Sequence, residues 1–305
     1  VITEVLKPTA IVVDKNQFYI NEDTTIYIYS LDDYKLKKKF GKAGEGPEEF
    51  LVFAAVSPQD DHLLVNSFGK ISYFKKDGTY IKEIKTKAGT SFVFLPLKDG
   101  FVGMSQITVD KTIYRTVNIF DAELKKGKEI ARMKIGNPEK KIEILKTTLF
   151  YQTYDNTIYV TGESGFAIDV LDHTGNKLHS ITREYERIKF DPKLEQIIRD
   201  GLKKGNPQQY DFLKNRLEFP DYFPEIFIFF IDANKIYVAT WKWEKDKIEF
   251  FIFSLKGKLL KKKFVTIAFQ EGSLTPYPMA FKKGKLYQLI ENEEEDWELH
   301  VSKTD

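Results

Sequence analysis

Trp241 and Trp243 flank Lys242 and are followed by Glu244. Flat aromatic side chains beside charged ones suit recognition, because they bury a large area with few rotamers to immobilise. With Tyr222 and Phe223 they are expected to form an aromatic surface for a sugar, a peptide or a protein partner. The alternative, aromatics packed between sheets, stays open at this point.

Other constellations are weaker. Gly41, Gly44 and Gly46 have the look of a phosphate cradle, but they lead toward a strand. A cradle of this kind needs the amides of a helix N-terminus. A tight turn is the better reading, with Glu45, Glu48 and Glu49 decorating its ligand-side face. The four histidines, His62, His173, His179 and His300, show no HxxxH spacing, so no histidine metal site is expected. Cysteine is absent, which removes disulfides, zinc–thiolate sites and a thiol nucleophile.

The chain has 305 residues, 47 Lys plus Arg and 45 Asp plus Glu, for a net charge of +2. That balance provides no field for nucleic acid or an anionic membrane. A hydrophobic content of 42% supports a sizeable core. Length alone allows two domains, but a closed all-β fold of this size is commonly one. The longest apolar run, Ile226 to Ile231, suits a buried strand and falls well short of a membrane span. Opening at Val1 without a basic-then-apolar leader, the chain reads as a processed or partial sequence. With no cysteine, the expected setting is export, as a monomer.

The elements that must position these residues come from a repeat. A hydrophobic triplet recurs as Phe18–Ile20, Leu63–Val65, Phe101–Gly103, Ile158–Val160, Ile236–Val238 and Leu286–Gln288. Turn signals such as Asp155-Asn156 and Lys283-Gly284 precede most copies, and such residues tolerate positive φ. An alternating strand follows each triplet, then a second turn, as at Asp77-Gly78, Thr174-Gly175 and Lys256-Gly257, and then a closing strand. Another apolar strand, such as Phe53–Val56 or Phe92–Leu95, comes before it. Four antiparallel strands in roughly 40 to 50 residues describe a β-propeller blade. The expected fold is all-β, a single six-bladed β-propeller over residues 1–305, with Val1–Leu6 as a strand completing the last blade. Lys37–Lys39 and Lys261–Lys263 fall on outermost strands, where lysine guards an exposed edge. The acidic run from Glu291 to Asp296 reads as a solvated hairpin tip.

The period changes once, over about residues 190–224, between the fourth and fifth blades. Asp191-Pro192 starts a helix with Leu194, Ile197, Ile198 and Leu202 on one face. Asn206-Pro207 starts a second, with Tyr210, Leu213 and Leu217. This helical insertion is expected on the face where propellers commonly bind ligands.

Phe40-Gly-Lys-Ala-Gly-Glu-Gly-Pro-Glu-Glu-Phe50 resembles the Gly-rich entry of an NHL-type repeat, in the form common among uncharacterised exported or lipid-anchored bacterial six-bladed propellers. Phe219 to Trp241 looks like the inter-blade connection of the same family. Asn66-Ser67 departs from the pattern, standing where an Asp often follows the strand. The resemblance implies fold and export, with no established activity. Propeller hydrolases and lactonases hold a divalent cation with Glu, Asn and Asp around the central channel, and Glu45, Glu163 and Asn66 are candidates for such a ring. Non-catalytic binding or scaffolding through the insertion face is therefore the leading expectation, with no cofactor. A metal-dependent hydrolase or lactonase, using a channel cation, is the alternative. The binding candidates are Glu45, Glu49, Asn66, Glu163, Tyr222, Phe223, Trp241 and Trp243, with an unknown protein, peptide or carbohydrate as ligand.

Overall fold

The computed structural model describes residues 1–86, 93–137, 139–145, 149–162 and 164–304. The chain divides into two compact units, Val1–Leu95 with Tyr277–Asp305, and Pro96–Pro276. Among the described residues it is all-β apart from two short helices. Among the described residues, no helix is long and apolar enough to cross a membrane.

In the first unit, Ala10–Val13, Gln17–Glu22, Thr25–Ser30 and Leu36–Phe40 form one antiparallel sheet in chain order. Ala55–Pro58, His62–Ser67, Lys70–Lys75 and Tyr80–Lys85 form the next. Met279–Lys282, Lys285–Glu291 and Trp297–Lys303 make a three-stranded sheet at the end of the chain. Neighbouring sheets share cores, because each strand presents apolar residues to the faces of its sheet. Phe18, Ile20 and Tyr29 pack with Tyr287, Leu289 and Trp297. Tyr19, Ile28 and Phe40 pack with Val65 and Phe74. The N-terminal segment is not a strand. Ile2 makes a single bridge to Trp297, and the Trp297 indole N–H donates to the Leu6 carbonyl at 3.0 Å. The Leu6 and Lys7 amides donate to Glu22 Oε1 instead of to a ladder.

The second unit contains the sheet Tyr151–Tyr154, Thr157–Thr161, Phe166–Leu171 and Lys177–Arg183. After it in the chain comes Ile228–Asp232, Lys235–Glu244, Lys247–Ser254 and Leu259–Thr266. These two share Phe166, Ile168 and Val170 with Phe229, Val238 and Phe251, including an edge-on contact of Phe166 with Phe251 at 5.6 Å. Ahead of them, Gly100–Val109, Thr112–Phe120 and Lys126–Gly136 form a long-stranded sheet turning at Asp110-Lys111. The repeat pattern anticipates a polar loop there; the strands run on through it. The Phe92–Leu95 strand begins outside the described residues and is seen as Phe94–Leu97.

In two sheets the turn before the last strand does a second job. Gly175 has φ +78°, and a Cβ there would come within 2.7 Å of Ile119 and Ile130 on the preceding sheet. Gly78 repeats this against Phe40 and Ile28. Only glycine meets both demands, positive φ and close approach. Gly175→Ala should therefore lower stability by about 2–3 kcal/mol, read by urea denaturation. Ala233 presents the opposite case, an exposed residue at φ 48° in the Ala233-Asn234 hairpin turn. Both central positions of such a turn favour Asn or Gly. Ala233→Asn should raise stability by about 0.5–1 kcal/mol on the same measurement.

Between Arg183 and Ile228 lie α1 (Lys193–Gly205) and α2 (Pro207–Leu213). Asp191 Oδ1 accepts from the Lys193 amide at 2.9 Å, and Asn206 Oδ1 caps α2 through Gln209 N at 3.0 Å. Leu217 is not on the face of α2. With Glu218 it forms a two-residue strand parallel to Ile142–Glu143, extending the long-stranded sheet.

Candidate functional site

The site grows from a bulge in the strand Lys235–Glu244. Ala239 pairs with Phe250 and Trp243 with Ile248, leaving Thr240, Trp241 and Lys242 opposite Glu249 alone. Extra residues of this kind bend a strand and redirect its side chains. Thr240 Oγ1 fastens the bulge, donating to Glu249 Oε2 at 3.0 Å and accepting from Lys242 N at 3.2 Å. Trp241 and Trp243 thus belong to the strand, not to a loop beyond it.

Trp241 is swung into a cluster with Phe190 and Phe223, against which Ile188, Leu194, Ile198 and Phe219 also pack. Its ring stacks on Phe223 at 4.4 Å and 12°, and Phe227 meets it edge-on at 4.5 Å. Trp241 and Phe223 are each 4% exposed. They are the floor of a site rather than its surface. Trp243 is 39% exposed and leans on Phe269 at 4.4 Å, making a wall. Together with Ile188, Lys189, Asp191, Leu194, Lys242 and Leu274 they line a groove of about 480 Å³. That volume suits a small organic ligand or a short stretch of peptide. Tyr222 is exposed, covered on one face by the Arg187 guanidinium at 5.1 Å. Among the described residues, the Trp241 indole N–H has no hydrogen-bond partner.

Behind the bulge lies a buried acid. Glu249 takes the Lys262 ammonium on Oε1 at 2.7 Å, and Tyr185 donates to Oε2 at 2.9 Å. Burial pushes the Glu249 carboxyl up, but Lys262 and the hydroxyls of Tyr185 and Thr240 outweigh it and hold the carboxyl below its ordinary range. Burial, aided by the nearby carboxylate, raises the Tyr185 phenol. Lys262 stands half-exposed on the last strand of its sheet, and its ammonium is also tied to a core carboxylate, which its Lys-Lys-Lys context does not reveal.

Of the other expected site residues, Glu49 and Asn66 are held by contacts within the fold. Glu49 Oε2 accepts from Gly46 N at 2.9 Å while Oε1 meets Lys42 Nζ at 3.1 Å, closing the glycine-rich turn. The Gly46 amide and Lys42 hold the Glu49 carboxyl low. Glu49 thus folds back on its own loop instead of presenting itself to a ligand. Glu45 is exposed on that loop. Asn66 is buried, donating to Phe94 O at 3.1 Å and accepting from Phe94 N at 2.8 Å, in the manner of a strand neighbour. Glu163 lies outside the described residues. Among the described residues, no three His, Cys, Asp or Glu side chains are grouped to hold a metal ion. The structure brings together Phe223, Trp241 and Trp243. Ile188, Lys189, Asp191, Leu194 and Leu274 were not anticipated as lining. The Asp191-Pro192 helix start was the one sequence signal pointing to their place.

No protein-family model matches the chain, and no curated protein sequence matches it. Solved structures do. A member of the DUF4221 family from Bacteroides vulgatus aligns with 99% of this chain and 94% of its own, at 11% identity and a TM-score of 0.54. The β-propeller domain of Cps50 (Swd1) from Myceliophteria thermophila aligns over 94% of both chains at 12% identity and a TM-score of 0.42. Hsv2 from Kluyveromyces lactis aligns over 95% of both chains at 10% identity and a TM-score of 0.42. The chain is all-β, and β-propellers are among the structures it resembles. Identities this low speak to fold alone.

Proposed function

We propose that this chain is a six-bladed β-propeller that binds a ligand without transforming it, in the groove beside the helical insertion. Successive sheets with shared cores support the propeller reading, as does the Ile2–Trp297 bridge joining the ends of the chain within one sheet. The NHL-like reading of Phe40–Phe50, a monomeric state and export in a cysteine-free chain belong to this proposal. The observation that carries the binding reading is the exposed Trp243 ring standing over a buried Phe223–Trp241 floor. An exposed tryptophan held rigid by an aromatic neighbour is a surface prepared for contact. The test is a thermal-shift screen of short peptides, sugars and small organic acids, repeated on Trp243→Ala. Ligands of the groove should lose about tenfold or more in affinity while the variant keeps its melting temperature. Retention of every ligand by Trp243→Ala would refute the reading.

A further inference from the structure

The rim of the groove carries charge that the fold does not use. Lys189 and Lys242 both line it, both are exposed, and among the described residues neither ammonium has an ion-pair or hydrogen-bond partner. Asp191 is the acid beside them. Its Oδ1 is occupied by the Lys193 amide, and it sits at the start of α1, where the helix dipole compensates a negative charge. The uncompensated charge of the rim is therefore positive. Below it lie the stacked rings of Phe223 and Trp241, with the Trp243 ring as the wall, and among the described residues the buried Trp241 N–H has no hydrogen-bond partner.

We propose that the groove selects a small aromatic carboxylate: a planar apolar body seated against Trp243 and the floor, with its acid group between Lys189 and Lys242. This rests on the binding reading above and names the ligand class for the same site. The volume of about 480 Å³ accommodates one aromatic ring with a short polar arm. Lysine acts here as a mobile point charge, suited to a carboxylate whose exact position varies among ligands. The attraction is exposed, so it should weaken as salt screens it.

N-acetylphenylalanine and its neutral counterpart N-acetylphenylalaninamide are matched probes, differing only in the charged group. Neither absorbs where tryptophan is excited, so the change in tryptophan fluorescence that is lost in Trp243→Phe reports their binding at the groove, apart from the signal of Trp297. The acid should bind about fivefold to tenfold more tightly than the amide at low salt. The double substitution Lys189→Gln with Lys242→Gln should abolish that preference and leave the amide's affinity unchanged, with an unaltered melting temperature as the folding control. Raising ionic strength from about 0.05 M to about 0.5 M should shrink the preference in the same direction. Equal affinity of acid and amide would overturn the inference while leaving an aromatic binding groove intact. So would a preference that survives the lysine substitutions. If neither probe binds up to roughly 10 mM, the inference fails, and the thermal-shift screen alone then decides the broader reading.

Discussion

Trp241→Ala should destabilise the protein by about 3–5 kcal/mol, whereas Trp243→Ala, two residues away, should change stability by less than about 1 kcal/mol. Trp241 is 4% exposed, with Phe223 stacked on one face and Phe227 against its edge. Its truncation leaves a void that Phe190, Leu194 and Phe219 cannot fill, since each is held by contacts within the same cluster. Trp243 presents much of its ring to solvent and loses chiefly the Phe269 contact. Urea denaturation of both variants distinguishes floor from wall. Equal losses would show that the two tryptophans share one environment and that the groove is wrongly drawn.

Lys262→Met should cost about 2–3 kcal/mol at neutral pH. Removing one partner of a buried pair commonly costs about 3–5 kcal/mol, and the partial exposure of Lys262 lets water reach the orphaned acid and reduces the loss. The pH dependence has a definite sign. In the native protein the Glu249 carboxyl is held below its ordinary value of 4.5, so its stabilising contribution is present above that pH and is lost as pH falls through the lowered value. Without Lys262, burial dominates and the carboxyl titrates higher. The stability gap between wild type and variant should therefore narrow as pH falls from 7 toward 5, because the variant gains from protonation earlier. Chemical denaturation at several pH values checks this, and a gap that stays constant or widens would show that Lys262 does not compensate Glu249.

Much of the sheet pattern was legible because it depends on local chemistry. Alternating apolar residues and Asx or Gly turns placed strands such as Thr157–Thr161 and Lys247–Ser254 close to where they fall. Both helix starts were legible as well, since Asn206 caps α2 and Asp191, just ahead of α1, accepts from the Lys193 amide. What failed to show was decided by distant partners. Leu217 continues the apolar spacing of α2, but Ile142 claims it for a strand. Lys262 reads as edge protection because nothing near it in sequence reveals Glu249. Asn66 and Glu49 carry side chains suited to ligand contact, and backbone amides take them instead. The aromatic pair at Trp241 and Trp243 was visible, but its division into floor and wall required the bulge opposite Glu249.

The two-residue parallel pair of Ile142–Glu143 with Leu217–Glu218 bears on the order in which the molecule assembles. It closes a loop of about 75 residues containing one whole sheet and both helices, and loop closure alone costs on the order of 4 kcal/mol. Two residues of pairing cannot offset that, so the neck forms only after the sheet inside it has shortened the path between its ends. Leu145 and Phe219, which pack on the groove floor, lie within two residues of the ends of the two strands of this neck. Hydrogen exchange at Ile142 and Ile144, whose amides donate across the neck, should therefore be fast for a strand and should slow when the groove is occupied. The part of the molecule best suited to hold a ligand is also the part that a ligand would do most to finish folding.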